Sequence, residues 1–325
     1  MTAANLPKHR IYTARSRPDL WDELKDDSHP LNVAWPLFLD QDACFQTYYR
    51  QLAKCCGLSA FQYAMVEENY GQETIIACGR SIPFYWPELD QFGGRTGLED
   101  HPEVWDTLPD TGYDAILTRG INQYFSRQGL EPASLEANID PRTLEYIDDV
   151  CYRTEQPNAL SAISITVHPD YRSMGIAEAI IGAMKEAARD NNLETLVVPL
   201  RPTRKQDHPF TSMEDYITWP QLLPKANFDL PFDPWLRKHV RLGGKFVKIA
   251  QQSMYVEGSI AAWQKWTRCD QWKTCLGAVK FEEGPRKSRL YIEVAFPGGL
   301  APLRLYILEN IGVYIEPNVW LYHDL

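Results

Sequence analysis

Arg172, Gly175 and Ala177 stand at an Arg-x-x-Gly-x-Ala spacing, between a β-branched run at 163–167 (ISITV) and a run of strong helix formers at 176–188. That arrangement can hold a phosphate. A helix N-terminus carries unpaired amide donors and a partial positive charge, and a glycine lets backbone approach an anion with no Cβ in the way. The motif is neither a Walker loop nor a Gly-x-Gly-x-x-Gly fingerprint. His239 is a second candidate, near the end of a short helix that Gly243 would stop. An imidazole with an unperturbed pKa of about 6.5 lends or takes a proton near neutral pH. Thr203 follows Arg-Pro, where a hydroxyl can support growing negative charge or simply serve a turn. Each also has a plainer use: a ligand-free strand–turn–helix, a structural histidine at a helix end, a turn residue.

The elements around these residues follow a definite order. The alternating strand at 163–167 is stopped by Pro169 and Asp170, and the Arg/Gly turn and an amphipathic helix come next. A second strand at 194–200 completes the unit. This order resembles the acyl-CoA-binding core of the GNAT acyltransferase superfamily. The resemblance implies that the amides of Arg172, Ser173, Met174, Gly175, Ile176 and Ala177 hold the CoA pyrophosphate. Ile165 and Val167 would lie on the strand edge facing the pantetheine. The stretch 234–249 has the layout of the family's Tyr-x-x-x-Gly-Phe segment, with His239 where a tyrosine general acid usually stands. That is a departure from the family pattern.

Segments 199–205, 216–219, 233–243 and 253–254 further resemble the GNAT-like domains of polyketide synthase loading modules. Some of those decarboxylate malonyl-CoA and pass the acetyl unit to a carrier-protein thiol, and there Thr203 and His239 would flank the thioester. The resemblance spans about 36–267 and is strongest over 161–254. The expected function is acyl transfer from acetyl-CoA or another acyl-CoA to a small-molecule or carrier acceptor, with His239 as general acid/base. The alternatives are a malonyl-CoA decarboxylase or S-acyltransferase serving an acyl carrier protein, and a non-catalytic acyl-CoA-binding module. No metal is required by any of these.

The expected fold is α/β, a GNAT-like mixed central sheet flanked by helices. It carries large insertions at about 87–158 and 201–232 and a C-terminal β-rich extension at about 268–325. Residues 1–33 read as an N-terminal arm, and 34–325 as a single extended domain. A first strand is expected at 35–40, then a helix at 43–56 capped by Asp42, and a hairpin of 61–67 with 74–86. The first insertion should carry short helices at 103–108 and 143–152 and a strand at 114–118. Phe210, Tyr216, Trp219 and Phe228 in the second insertion suit either an acceptor-tunnel wall or a surface elaboration. A helix at 261–267 and strands at 276–281, 290–296 and 303–308 should follow; the tail at 314–322 receives no assigned chemistry.

Composition narrows the partners. The chain has 325 residues, 44% of them hydrophobic, and a formal charge of −10, which argues against nucleic acid. Residues 201–248 nevertheless hold nine Lys/Arg against five Asp/Glu. Arg201, Arg204, Lys205, Arg237, Lys238 and Arg241 could meet a phosphate or solvate a helix end, with Arg201 and Arg237 the candidates for substrate or phosphate. Seven cysteines lack metal-ligand spacing, seven histidines lack a zinc motif, and no apolar run has transmembrane length. With no signal peptide in view, the expectation is a reduced, cytoplasmic protein with no membrane partner.

Overall fold

Tyr70 and Gly71 close the first hairpin with φ of 50° and 79°, the pair of positive values that a two-residue turn between twisted strands requires. The strands they join are β2 (Gln62–Asn69) and β3 (Gln72–Phe84). The structure, a computed structural model, describes residues 8–130, 141–221, 230–269, 279–283 and 288–325. Before the hairpin come β1 (Lys8–Thr13) and helices α1 (Asp19–Glu23), α2 (Pro30–Val33), α3 (Ala43–Tyr48) and α4 (Gln51–Lys54). After it come α5 (Pro87–Gln91), α6 (Gly94–Asp100), α7 (Gly112–Arg127), β4 (Ala159–Val167), α8 (Ile176–Asp190) and β5 (Thr195–Leu200). The remainder is α9 (Met213–Ile217), α10 (Pro234–Arg241), β6 (Gly244–Ser259), α11 (Ile260–Thr267), β7 (Lys280–Glu282), β8 (Arg289–Val294), β9 (Leu303–Tyr306) and β10 (Ile311–His323).

The strands form a mixed sheet in the order β1-β2-β3-β4-β5-β10-β9-β8-β7, with β6 also paired to β10. Among the described strands only β4 and β5 run parallel, joined through α8. Both faces are covered. On one, α8 buries Ile176, Ala177, Ile180, Ile181, Met184 and Ala188 at helical spacing. Gly79 of β3 lets this helix come close, since a Cβ there would lie 2.4 Å from Ile180 Cγ2. The other face packs α7 with Phe38, Trp86, Trp105, Trp263, Phe296, Tyr314 and Trp320.

Several elements differ from the sequence expectation. Residues 35–40 form turns and the start of a 3₁₀ turn, Leu39–Gln41, not a strand. Pro36 interrupts the run, and Asp42 then caps α3 by accepting from Phe45 N at 2.7 Å. Residues 114–118 lie inside α7, a helix buried nearly all round, where a short apolar run carries no period to separate helix from strand. The supposed N-terminal arm instead supplies the edge strand β1, paired from Lys8↔Glu68 to Thr13↔Tyr63. The tail becomes β10, flanked by β5 and β6 in the middle of the sheet. The hairpin, β5 and the helix at 260–267 stand where expected. Phe228 and Leu276 lie outside the described residues. Among the described residues no helix is long and apolar enough to cross a membrane.

Candidate active site

The turn before α8 is shaped like an anion cradle. Ser173 and Gly175 take φ of 66° and 79°, which swings successive amides toward one side. Gly175 is the N-cap of α8 and no side chain caps the helix, so its first amides are left without an intrahelical partner. Residues 172–175 are exposed, and a Cβ built on Gly175 would meet nothing within 4 Å. The Arg172 guanidinium leans back on Val167 O at 3.5 Å.

The sheet opens beside this turn. β4 and β5 pair only from Ala159↔Thr195 to Ser161↔Val197, and from Ala162 onward the β5-facing edge of β4 has no strand beside it. A bulge places one extra β4 residue, Ile163, between the Ala162↔Ser81 and Ser164↔Arg80 pairs, bending the strand where the two part. Ile165 and Val167, both half-buried, lie on this free stretch. An extended arm bearing amides could add to that edge as a strand does. The Lys238–Glu178 ion pair ties α10 to α8 on the same side.

His239 is brought to the C-terminal turn of α10 but faces inward. It is 1% exposed, packs edge-on to Trp235 with centroids 4.6 Å apart, and shares a proton position with His323, Nδ1 to Nε2, at 2.9 Å. Burial, followed by the other imidazole, pushes His239 down to about 3, while burial pushes His323 down to about 4. Both rings are therefore neutral at pH 7, and the proton-carrying role expected of His239 finds no support in this placement. Thr203 is exposed and lies at the other end of α10. Its neighbour Arg204 donates its amide to Asp233 Oδ2 at 2.8 Å, and Asp233 caps that helix. No hydrogen bond joins Thr203 to His239.

The basic segment is mostly committed internally. Arg201 pairs with Glu316 at 2.9 Å and donates to Gly298 O at 2.5 Å. Arg237 Nη1 donates to Pro231 O and Phe232 O, both at 2.8 Å. Lys205 is buried with its ammonium on Leu300 O and His208 O, and burial lowers it to about 8. Arg204 pairs with Asp207 at 2.9 Å. Arg241 is exposed at the end of α10. Arg201, Lys205 and Arg237 thus hold loops in place.

A second polar group lies on the opposite face of the sheet, and sequence reasoning did not find it. Asp42 and Asp114 come together at the N-termini of α3 and α7, with one ligand atom each from Asp42, Cys44 and Asp114 all within 4.8 Å. The Tyr255 amide lies between the carboxyls, 3.2 Å from Asp114 Oδ2 and 3.4 Å from Asp42 Oδ2. Asp114 Oδ1 is buried and meets no hydrogen-bond donor, and the Asp42 carboxyl and the Tyr146 hydroxyl are the side chains beside Asp114. Burial lifts Asp42 to about 6, and burial with the Asp42 charge lifts Asp114 well above the carboxylate range. Tyr113 lies near both carboxyls and near Tyr49. Its amide donates to Ser253 Oγ at 2.8 Å, and its hydroxyl makes no hydrogen bond among the described residues. Tyr49 continues the path, 3.2 Å from Ser164 Oγ on β4, with the Arg80 guanidinium 4.5 Å above its ring. The one sequence signal for this group was Gly112. Its Cβ would lie 2.3 Å from Ser253 Oγ, so only glycine lets α7 start this close to β6.

No family model matches the chain. Over 323 residues, 98% of this chain and 95% of the relative, it is 31% identical to the arginine N-acetyltransferase avaD of Aspergillus versicolor. Among solved structures, the loading GNATL domain of CurA from Lyngbya majuscula aligns at a TM-score of 0.46 with 14% identity, covering 98% of both chains. The GphF GNAT-like decarboxylase in complex with isobutyryl-CoA aligns at 0.40 and 14%, covering 97% of this chain and 98% of that one.

Proposed function

This chain belongs to the GNAT acyltransferase superfamily, and we propose that it moves an acetyl or similar acyl group from CoA to the amino group of a small, cationic, arginine-type acceptor. The observation that carries the reading is the end-to-end identity with an arginine N-acetyltransferase, an alignment long enough to span both the phosphate turn and the acidic pair. In this reading the CoA pyrophosphate rests on the amides of residues 172–177, and the pantetheine runs along β4 beyond Ser161. A backbone N–H of that edge holds the negative charge growing on the thioester oxygen. The amine nitrogen attacks the carbonyl carbon, the C–S bond breaks, and CoA leaves with the electron pair. The ammonium's proton passes to solvent. A thiol pKa of about 8.5 makes the thiolate a tolerable leaving group, so a neutral His239 need not protonate it. His239 and His323 serve instead to anchor α10 to β10.

Decarboxylation would need Thr203 and His239 at one carbonyl, and their positions at opposite ends of α10 favour transfer. The test is to incubate the purified protein with arginine and, in separate reactions, acetyl-CoA or malonyl-CoA, and to analyse the products by mass spectrometry. Acetylarginine and free CoA in equal amounts are expected. Conversion of malonyl-CoA to acetyl-CoA, with arginine untouched, would overturn the reading in favour of the decarboxylase.

A further inference from the structure

We propose that the buried pair Asp42/Asp114 is the receptor for the cationic end group, a guanidinium or amidinium, of the acceptor. This rests on the transferase reading above and names the residues that would select its substrate. Two carboxyls placed side by side in a buried setting are costly unless a cation or proton lies between them. Among the described residues neither has an ion-pair partner. Asp42 Oδ1 is occupied by the Phe45 amide, and the Tyr255 amide serves the two Oδ2 atoms, which leaves Asp114 Oδ1 unpaired in a 0% exposed side chain. Empty, the pair keeps a proton on Asp114, whose acidity burial and the Asp42 charge suppress, and a charged donor with several N–H groups would take that proton's place.

A second, independent feature points the same way. Tyr113 is 8% exposed and lies close enough to Asp42, Asp114 and Tyr49 to feel their charges, and no protein group among the described residues hydrogen-bonds its hydroxyl. The surroundings suit a planar cation, because Tyr113 and Tyr146 lie beside the pair and Tyr49 lies beside Tyr113. Arg80 already lies over Tyr49 in that manner. Tyr113 and Tyr49 lead from the pair to Ser164 on the free stretch of β4. A long acceptor could therefore hold its cation at the pair while its amine reaches the thioester. A planar guanidinium spans two carboxylates with parallel donors, which a compact ammonium does not.

The experiment is calorimetric titration of arginine, and of its neutral analogue citrulline, into the full chain saturated with CoA. It compares wild type with Asp114→Asn and Asp42→Asn. Asparagine caps helices as well as aspartate, so Asp42→Asn should fold even if Asp114→Asn does not. Thermal melts and CoA affinity check this. Wild type should prefer arginine over citrulline, and either substitution should weaken arginine binding roughly 10- to 100-fold while leaving citrulline and CoA unchanged. Unchanged arginine affinity in a folded variant would overturn the proposal, as would a wild type that binds both analogues equally. Saturable Zn²⁺ or Mn²⁺ binding that is lost in the variants, with arginine binding intact, would overturn it in favour of a metal centre. Arginine bound through the pair but never acetylated would instead count against the transferase reading alone.

Discussion

Gly175 carries the most testable single-residue claim. No atom lies where its Cβ would go, but at φ 79° any side chain strains the backbone, so Gly175→Ala is the control that separates that strain from an added charge. Gly175→Glu places a carboxylate among the amides that would face pyrophosphate, and CoA affinity should fall by roughly 100-fold or more. Near-normal affinity in the folded variant would remove the turn from the site. The His239–His323 pair makes a different prediction. Both folded pKa values lie below the unfolded value of 6.5, so the stability from keeping these rings neutral is fully present above about pH 6.5. It is lost as pH falls through about 4 and then about 3. Wild-type melting temperature should therefore drop over that window, and His239→Gln should flatten the drop, a difference on the order of a few kcal/mol at the acid end. Equal acid limbs would show that the pair is not buried as described. The shape of the turn at 172–177, ahead of α8, was legible because its residues are contiguous. The burial of His239 was not, since His323, its partner, lies far along the chain.

At the level of elements, the β4–turn–α8–β5 unit decides how well the cradle is held. Its periodicity was readable residue by residue. What the sequence did not disclose is that Gly79, on a different strand, sets the distance of α8. A Cβ there would lie 2.4 Å from Ile180 Cγ2 and 3.1 Å from Met184 Cε. Gly79→Val should therefore cost about 1–3 kcal/mol by overpacking and weaken CoA binding with it, read from denaturant midpoints and CoA titration. A variant as stable as wild type would mean that α8 can yield at no cost. Gly112 plays the same part for α7, where a side chain would collide with Ser253 and break its bond to the Tyr113 amide. The acidic pair was illegible for a related reason. Asp42 reads correctly as a cap and Asp114 as part of an apolar run, and only the packing of α3 against α7 joins them.

On the scale of the whole molecule, β1 and β10 are integral to the sheet. β1 closes one edge of the sheet, and β10 lies against β5, the strand that parts from β4. Pro317, and the register shift between Glu316 and Asn318, hid β10 from a strand pattern. Its Trp320 is fully buried, with its indole donating to Pro109 O at 2.9 Å. Trp320→Ala should cost about 3–5 kcal/mol and show it in a denaturant melt, whereas a C-terminal region independent of the core would unfold on its own first. The central claim is that this sheet, opened beside the phosphate turn, transfers an acyl group to an arginine-type amine. The most direct measurement is the initial rate of CoA thiol release from acetyl-CoA, with and without arginine, for wild type and Gly175→Glu. The account predicts release that depends on arginine in wild type and is lost in the variant. Release at the same rate without arginine, or in the variant as in wild type, would contradict it.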